Sequence, residues 1–194
     1  MILPILNYPD SRLRTKAKEV DAVDDKIKTL VKDMYETMYA EDGIGLAATQ
    51  TDQHLQVVVM DVPDSQDDYE LLLKNRKNDS DKKPDTRHHP LCFINPKVTN
   101  TSGHEKHVEG CLSVPGYHAE VERANQITVE ALNEQGEMFT LHASNLLAVC
   151  IQHELDHLDG ILFVDHLSKL KQKRLLEKTT QAIKGESAPI QIGY

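Results

Sequence analysis

The chain has 194 residues, which suits one domain, and its formal net charge of −9 makes a long phosphate backbone an unfavourable partner. Its three cysteines are odd in number and scattered along the sequence, and no apolar run approaches the ~20 residues that a transmembrane helix requires. We therefore expect a monomeric protein of the reducing cytoplasm, with no role in the membrane.

The first regular elements should be an amphipathic helix and two buried strands. Apolar residues recur at helical spacing through residues 24–39, Asp24 suits the N-cap position, and Gly43 marks the end of the helix. The β-branched run Val57–Met60 predicts one strand, and residues 91–94 predict another.

A polar stretch separates these two predicted strands. It covers about residues 64–90, is rich in aspartate and lysine, and has few apolar residues. This composition favours an insertion in one domain that spans residues 1–194, and not a second domain.

The second half of the chain predicts a hairpin followed by a helix. Residues 127–131 alternate apolar and polar side chains, and turn-forming residues separate them from residues 138–141, which indicates an antiparallel pair. Ser144 or Asn145 suits the cap of a helix that runs to Gly160. The order of the elements predicts an α+β domain with one central functional helix.

The strongest chemical signal lies within that helix. His153 and His157 are four residues apart, so that both imidazoles lie on one face and can bind one metal ion, and Glu154 stands beside them. The rest of the helix is largely apolar, which predicts a dry site where a bound ion acts strongly on a water molecule.

The third ligand of this site decides the class of enzyme. An extended zinc-peptidase motif would need a histidine where this chain has Phe163. Glu177 is a downstream alternative in a lysine-rich segment, whereas Cys111 lies in a segment where Gly110 lets the backbone approach closely. The residues alone favour Cys111 but leave Glu177 open, together with two rival functions: an endopeptidase and a non-enzyme with a structural metal.

Three segments together resemble those of peptide deformylases: residues 43–50 (GIGLAATQ), 109–113 (EGCLS) and 152–157 (QHELDH). The resemblance implies an α+β fold in which antiparallel β-sheets pack around a central helix that carries the HExxH metal motif, with a C-terminal helix. It also implies the activity, which is removal of the N-formyl group from the N-terminal methionine of nascent polypeptides by a metal-activated water.

The resemblance assigns roles to individual residues. One divalent ion, expected to be Fe²⁺ with Zn²⁺, Ni²⁺ and Co²⁺ as alternatives, would be bound by Cys111, His153 and His157. Glu154 would be the general base and acid, and the oxyanion would be held by the side chain of Gln50 and the backbone N–H of Leu112. The residues that the resemblance implies in substrate binding are Ile44, Gly45, Leu146, Val149 and Cys150.

The same resemblance predicts a structural ion pair and reveals two departures. Glu109 and Arg123 match positions that form an ion pair in relatives. His107 replaces an apolar pocket residue, and His118 stands where some relatives have an arginine near the peptide backbone.

The expected partners are N-formylmethionyl peptides and, through a basic surface, the ribosome. Ser168 suits the start of a last helix that ends near Gly185. This segment is rich in positive charge in an otherwise acidic chain, and its basic residues are Lys169, Lys171, Lys173, Arg174, Lys178 and Lys184.

Overall fold

The computed structural model describes residues 1–63 and 90–183. The expected insertion at about residues 64–90 and the expected helix end at Gly185 therefore lie outside the described residues, Pro90 excepted. None of the helices in the described part of the chain is long and apolar enough to cross a membrane.

Helix α1, Asp25–Ala40, confirms the first predicted helix. The Asp24 carboxylate accepts hydrogen bonds from the backbone N–H groups of Lys26 and Ile27, both at 3.0 Å, and so acts as the N-cap. The helix buries Ile27, Val31, Met34 and Met38 against the main sheet.

Five antiparallel strands form the main sheet, in the order β1, β2, β3, β6, β7. Their bounds are Gly45–Ala47, Val57–Met60, Leu91–Ser102, Gln126–Leu132 and Met138–Ser144. Strand β2 and the β6–β7 hairpin are confirmed. Strand β3 is longer than the predicted residues 91–94, because the chain passes through a bulge after Ile94, with Asn95 at a positive φ of 51°, and then continues as a largely exposed strand.

A second sheet consists of strands β4, Glu105–Cys111, and β5, Val114–Arg123, which pair in antiparallel register. Cys111 thus stands at the end of β4, where the chain turns back. Glu109 and Arg123 lie on the buried face of this hairpin.

Helix α2, Asn145–Leu158, is the predicted central helix, and it packs against β1, β2, β6 and β7. Ser144 occupies the N-cap position, but its side chain makes no capping hydrogen bond within the described residues, so neither Ser144 nor Asn145 acts as the expected side-chain cap. Gly160 follows the helix at φ 72°, a conformation that favours glycine. The last helix, α3, is Lys169–Ile183, and it begins directly after Ser168 as predicted.

The segment of residues 6–17, which we call the N-terminal strap, connects distant parts of the fold through its backbone. Leu6 N–H donates to the carbonyl of Gln50 at 2.8 Å, Tyr8 N–H to that of Ser113 at 2.7 Å, and Ala17 N–H to that of Leu158 at 2.7 Å. The strap therefore holds together three chain segments that are far apart in the sequence.

Candidate metal centre and active site

The fold brings together the side chains of Cys111, His153 and His157, whose potential ligand atoms all lie within 4.8 Å of one another. Cys111 Sγ is 3.2 Å from His157 Nε2, and both histidines are buried. One thiolate and two imidazoles form a donor set that suits a divalent transition metal such as Fe²⁺, Zn²⁺, Ni²⁺ or Co²⁺. Glu177, the alternative ligand, lies on an exposed face of α3 near Lys173 and is not part of this group.

His153 is oriented by a buried carboxylate. Its Nδ1 lies 2.8 Å from Glu109 Oε2, which leaves Nε2 free to face the metal position. Arg123 in turn holds Glu109 through Nε to Oε1 at 2.8 Å and Nη2 to Oε2 at 3.0 Å, which confirms the predicted ion pair. Burial alone would raise the pKa of Glu109, but hydrogen bonds from His153 and Arg123 outweigh it and hold the pKa at about 2.

This ion pair extends toward the surface. Arg123 Nη1 also donates to Asp156 Oδ2 at 2.6 Å, and the same oxygen lies 2.7 Å from His166 Nε2. Asp156 belongs to the HExxH segment, yet its sequence position gave no sign that it would bind Arg123, which lies on β5.

Glu154 is 4% exposed, and its Oε2 atom has no hydrogen-bond partner among the described residues. Burial is the main cause that raises the pKa of Glu154, to about 7, close to the value expected of a general base at neutral pH. A Cβ atom at Gly45 would lie 2.5 Å from Glu154 Oε1 and 2.9 Å from Cys150 Sγ. Any side chain at residue 45 would therefore force this carboxylate to shift.

Gln50 is fully enclosed at 1% exposure and is held by both ends of its carboxamide. Ala47 N–H donates to Oε1 at 2.8 Å, and Nε2 donates to Ser113 Oγ at 3.1 Å. Nε2 also lies 3.6 Å from Cys111 Sγ, next to the candidate metal position. Ser113 was not singled out from the sequence, because its link to Gln50 joins two distant segments.

Two further contacts connect the neighbouring segments. Thr49 Oγ1 donates to the carbonyl of His157 at 3.1 Å and so joins the segment of Gln50 to α2. Leu112 packs closely against Gly43, since a Cβ added at Gly43 would lie 2.8 Å from Leu112 Cδ1.

A cleft of about 1390 Å³ opens onto this centre. Its walls include every residue expected to bind substrate, namely Ile44, Gly45, Leu146, Val149 and Cys150. His107 and His118 line it as well, and the buried Nε2 of His107 has no hydrogen-bond partner within the described part of the chain. The cleft exceeds the roughly 300–1,000 Å³ of ordinary ligand pockets, which suits an extended peptide.

Known proteins are similar to this chain in both sequence and fold. A profile of the polypeptide deformylase family matches residues 2–173. The chain is 51% identical over 177 residues to the peptide deformylase of Neisseria gonorrhoeae, covering 91% of this chain and 93% of the relative. The crystal structure of peptide deformylase from Ehrlichia chaffeensis superimposes with a TM-score of 0.83 at 38% identity, covering 96% of this chain and 99% of that one. The structure of the same Ehrlichia protein in complex with actinonin superimposes with a TM-score of 0.80 at 38% identity, covering 93% of this chain and 97% of that one.

Proposed function

This chain belongs to the peptide deformylase family, and on that premise we propose that Cys111, His153 and His157 bind one divalent metal ion that serves deformylation. The enzyme class expected from the three sequence segments is confirmed, and so is the α+β fold. Peptide deformylases remove the N-formyl group from nascent polypeptides, so the roles proposed for the residues of this chain are roles in that reaction.

The observation that carries the proposal is a buried carboxylate beside a Cys-His-His group at the wall of a cleft. A divalent ion bound there would supply Lewis-acid polarisation of the formyl carbonyl and of a water molecule. Glu154 accepts the proton of the attacking water and delivers it to the leaving amine, and its unpartnered Oε2 is the atom available for this. Gln50 Nε2 and the Leu112 backbone N–H donate to the developing oxyanion.

The cleft provides the means to bind the substrate. Ile44, Leu146, Val149 and Cys150 form an apolar surface suited to the methionine side chain. Strand β1, which includes Gly45, is an edge strand of the main sheet, so its outer edge is suited to backbone hydrogen bonds with an extended peptide.

The test of this mechanism replaces Glu154 with glutamine and measures metal content and hydrolysis of formyl-Met-Ala together. Glu154 is not proposed as a ligand, so the metal should remain, whereas turnover should fall by roughly 10²–10⁴-fold because the proton carrier is lost. Glu105→Gln is a matched control, since Glu105 lines the same cleft but is exposed. Near wild-type turnover in Glu154→Gln would contradict the mechanism, and cleavage of casein by the wild type would support the endopeptidase rival.

The proposed native ion is Fe²⁺, because a thiolate with two imidazoles suits it, although Zn²⁺, Ni²⁺ and Co²⁺ bind the same donors. Metal analysis of protein purified without oxygen would identify the ion. Cys111→Ser should lower the metal content more than Cys92→Ser, since Cys92 is buried elsewhere, against α1. Equal metal content in both variants would exclude Cys111 as a ligand.

We also propose that the protein works as a cytoplasmic monomer that docks on ribosomal RNA through α3. The basic side chains of this helix are exposed, and they are Lys169, Lys171, Lys173, Arg174 and Lys178. Leu175 of the same helix is 1% exposed, so deletion of α3 would disturb the core. Replacing Lys171 and Lys178 with glutamine should instead weaken co-sedimentation with ribosomes at low salt and leave hydrolysis of a short peptide unchanged. Unchanged co-sedimentation would remove this part of the proposal.

A further inference from the structure

Ser113 lies beside the oxyanion donor Gln50 and is itself completely buried. Its hydroxyl oxygen accepts a hydrogen bond from Gln50 Nε2 at 3.1 Å, and its backbone carbonyl accepts one from Tyr8 N–H at 2.7 Å. Ser113 is therefore fixed by the N-terminal strap while its side chain contacts Gln50.

The contact with Ser113 determines where the Gln50 carboxamide can donate. Because the backbone N–H of Ala47 can only donate, the atom that faces it at 2.8 Å must be the carbonyl oxygen Oε1. The amide nitrogen then lies at the opposite end, with two N–H bonds. One of them is engaged by Ser113 Oγ, and the other makes a long hydrogen bond, of 3.6 Å, to Cys111 Sγ, on the side of the metal position.

We propose that Ser113 is a positioning residue for the reaction, which holds the Gln50 amide so that its second N–H points at the developing oxyanion. The inference rests on the proposed role of Gln50 as an oxyanion donor. Without the Ser113 hydroxyl, the carboxamide keeps the hydrogen bond from Ala47 N–H and only a long one, of 3.6 Å, to Cys111 Sγ. Its terminal torsion is soft, so the donor would no longer be held firmly in one direction. A preorganised donor contributes more than one that must reorient during the reaction.

A double-mutant cycle separates this role from a general structural one. The four proteins are wild type, Ser113→Ala, Gln50→Ala and the double variant, each assayed with formyl-Met-Ala for kcat, KM and metal content. Gln50→Ala should lower kcat by roughly 10²–10³-fold. Ser113→Ala should lower it by roughly 10-fold, because a misdirected donor retains part of its effect. In both variants KM and metal content should stay close to those of the wild type.

The decisive comparison is the effect of Ser113→Ala when Gln50 is already alanine. If Ser113 acts through Gln50, its removal should then change kcat by less than about twofold, since no amide is left to position. Thr51→Val is the matched control, because it removes another buried hydroxyl hydrogen bond, to the carbonyl of Ala48, at the end of the short 3-10 helix Ala48–Thr51 that includes Gln50. It should leave kcat unchanged.

Each result has a distinct meaning. An equal loss of kcat from Ser113→Ala in both backgrounds, or no loss in the wild-type background, would overturn the positioning role. Full activity of Gln50→Ala would overturn it too, because the donor would be dispensable. A wild-type protein that fails to hydrolyse formyl-Met-Ala would instead overturn the proposed function, and this is measured before any variant.

Discussion

Replacing Arg123 with methionine should destabilise the folded protein by about 3–5 kcal/mol, because it removes the guanidinium from the buried Glu109 carboxylate and leaves it only the hydrogen bond with His153. The side chains of Arg123 and Glu109 are each 5% exposed, so water cannot replace the lost hydrogen bonds. Methionine fills much of the same volume, which limits the change to charge and hydrogen bonding.

The magnitude follows from the contacts of the guanidinium. Two of its hydrogen bonds go to Glu109, and a third goes to Asp156, whose side chain is 21% exposed and can regain water. Two charge-assisted hydrogen bonds at about 1.5–3 kcal/mol each give about 3–6 kcal/mol for Glu109. A domain is typically stable by about 5–15 kcal/mol, so this loss is a large part of the total.

Urea unfolding of metal-free protein, followed by circular dichroism, measures the effect without the added stability from metal binding. Arg12→Met is the matched control, because Arg12 also binds two carboxylates, those of Asp10 and Asp52, but is 52% exposed. It should cost only a small fraction of the Arg123→Met loss, since exposed pairs contribute little. Equal losses in the two variants would show that burial of the Glu109 ion pair does not determine its contribution.

Three other substitutions test separate features. Gly160→Ala should destabilise the protein more than Gly116→Ala. Both glycines have φ 72°, but only a Cβ at Gly160 would meet a backbone carbonyl oxygen, at 2.5 Å. Equal midpoints of urea unfolding in the two variants would contradict this. Gly45→Ala should lower kcat by roughly 10²-fold with metal retained, because the new Cβ would displace the Glu154 carboxylate. An unchanged kcat would show that this displacement of the carboxylate does not affect the reaction. His107→Leu should raise the free energy of unfolding by about 1 kcal/mol, because it removes a buried nitrogen that has no hydrogen bond among the described residues and only the exposed Glu105 carboxylate 3.6 Å away. A lower unfolding midpoint would mean that this contact with Glu105 stabilises the fold.

Elements with a strong local pattern could be predicted from the sequence. Helix α1, strand β2 and the β6–β7 hairpin each show the periodicity of their own secondary structure, and Asp24 caps α1 as its side-chain chemistry suggests. The HExxH pair lies on one face of α2 for the same local reason. These features depend on residues a few positions apart.

The β4–β5 hairpin was not predicted, and two charged residues interrupt the apolar pattern of its buried face, which otherwise includes Val114 and Val121. Glu109 and Arg123 occupy interior positions there, and each is acceptable only because the other neutralises it. Strand β1 was not predicted, because its three residues are too few to show an alternation of apolar and polar side chains. For strand β3 the prediction covered only the apolar residues 91–94, whereas the chain continues through a bulge into a more exposed stretch that ends at Ser102.

The arrangement of the site depended on tertiary contacts as well. Sequence spacing indicated His153 and His157. The residues alone favoured Cys111 as the third ligand but left Glu177 open, and the family resemblance then pointed to Cys111. Ser113 carried no local signal at all, because its hydroxyl contacts Gln50 across the fold. Polar residues that act through distant partners are the ones that a sequence pattern cannot reveal.

The N-terminal strap implies an order of events during synthesis. Residues 6–17 are synthesised before their backbone partners at Gln50, Ser113 and Leu158. The strap can complete its hydrogen bonds only after α2 has emerged, so catalytic competence should arise late and all at once, and not grow with chain length.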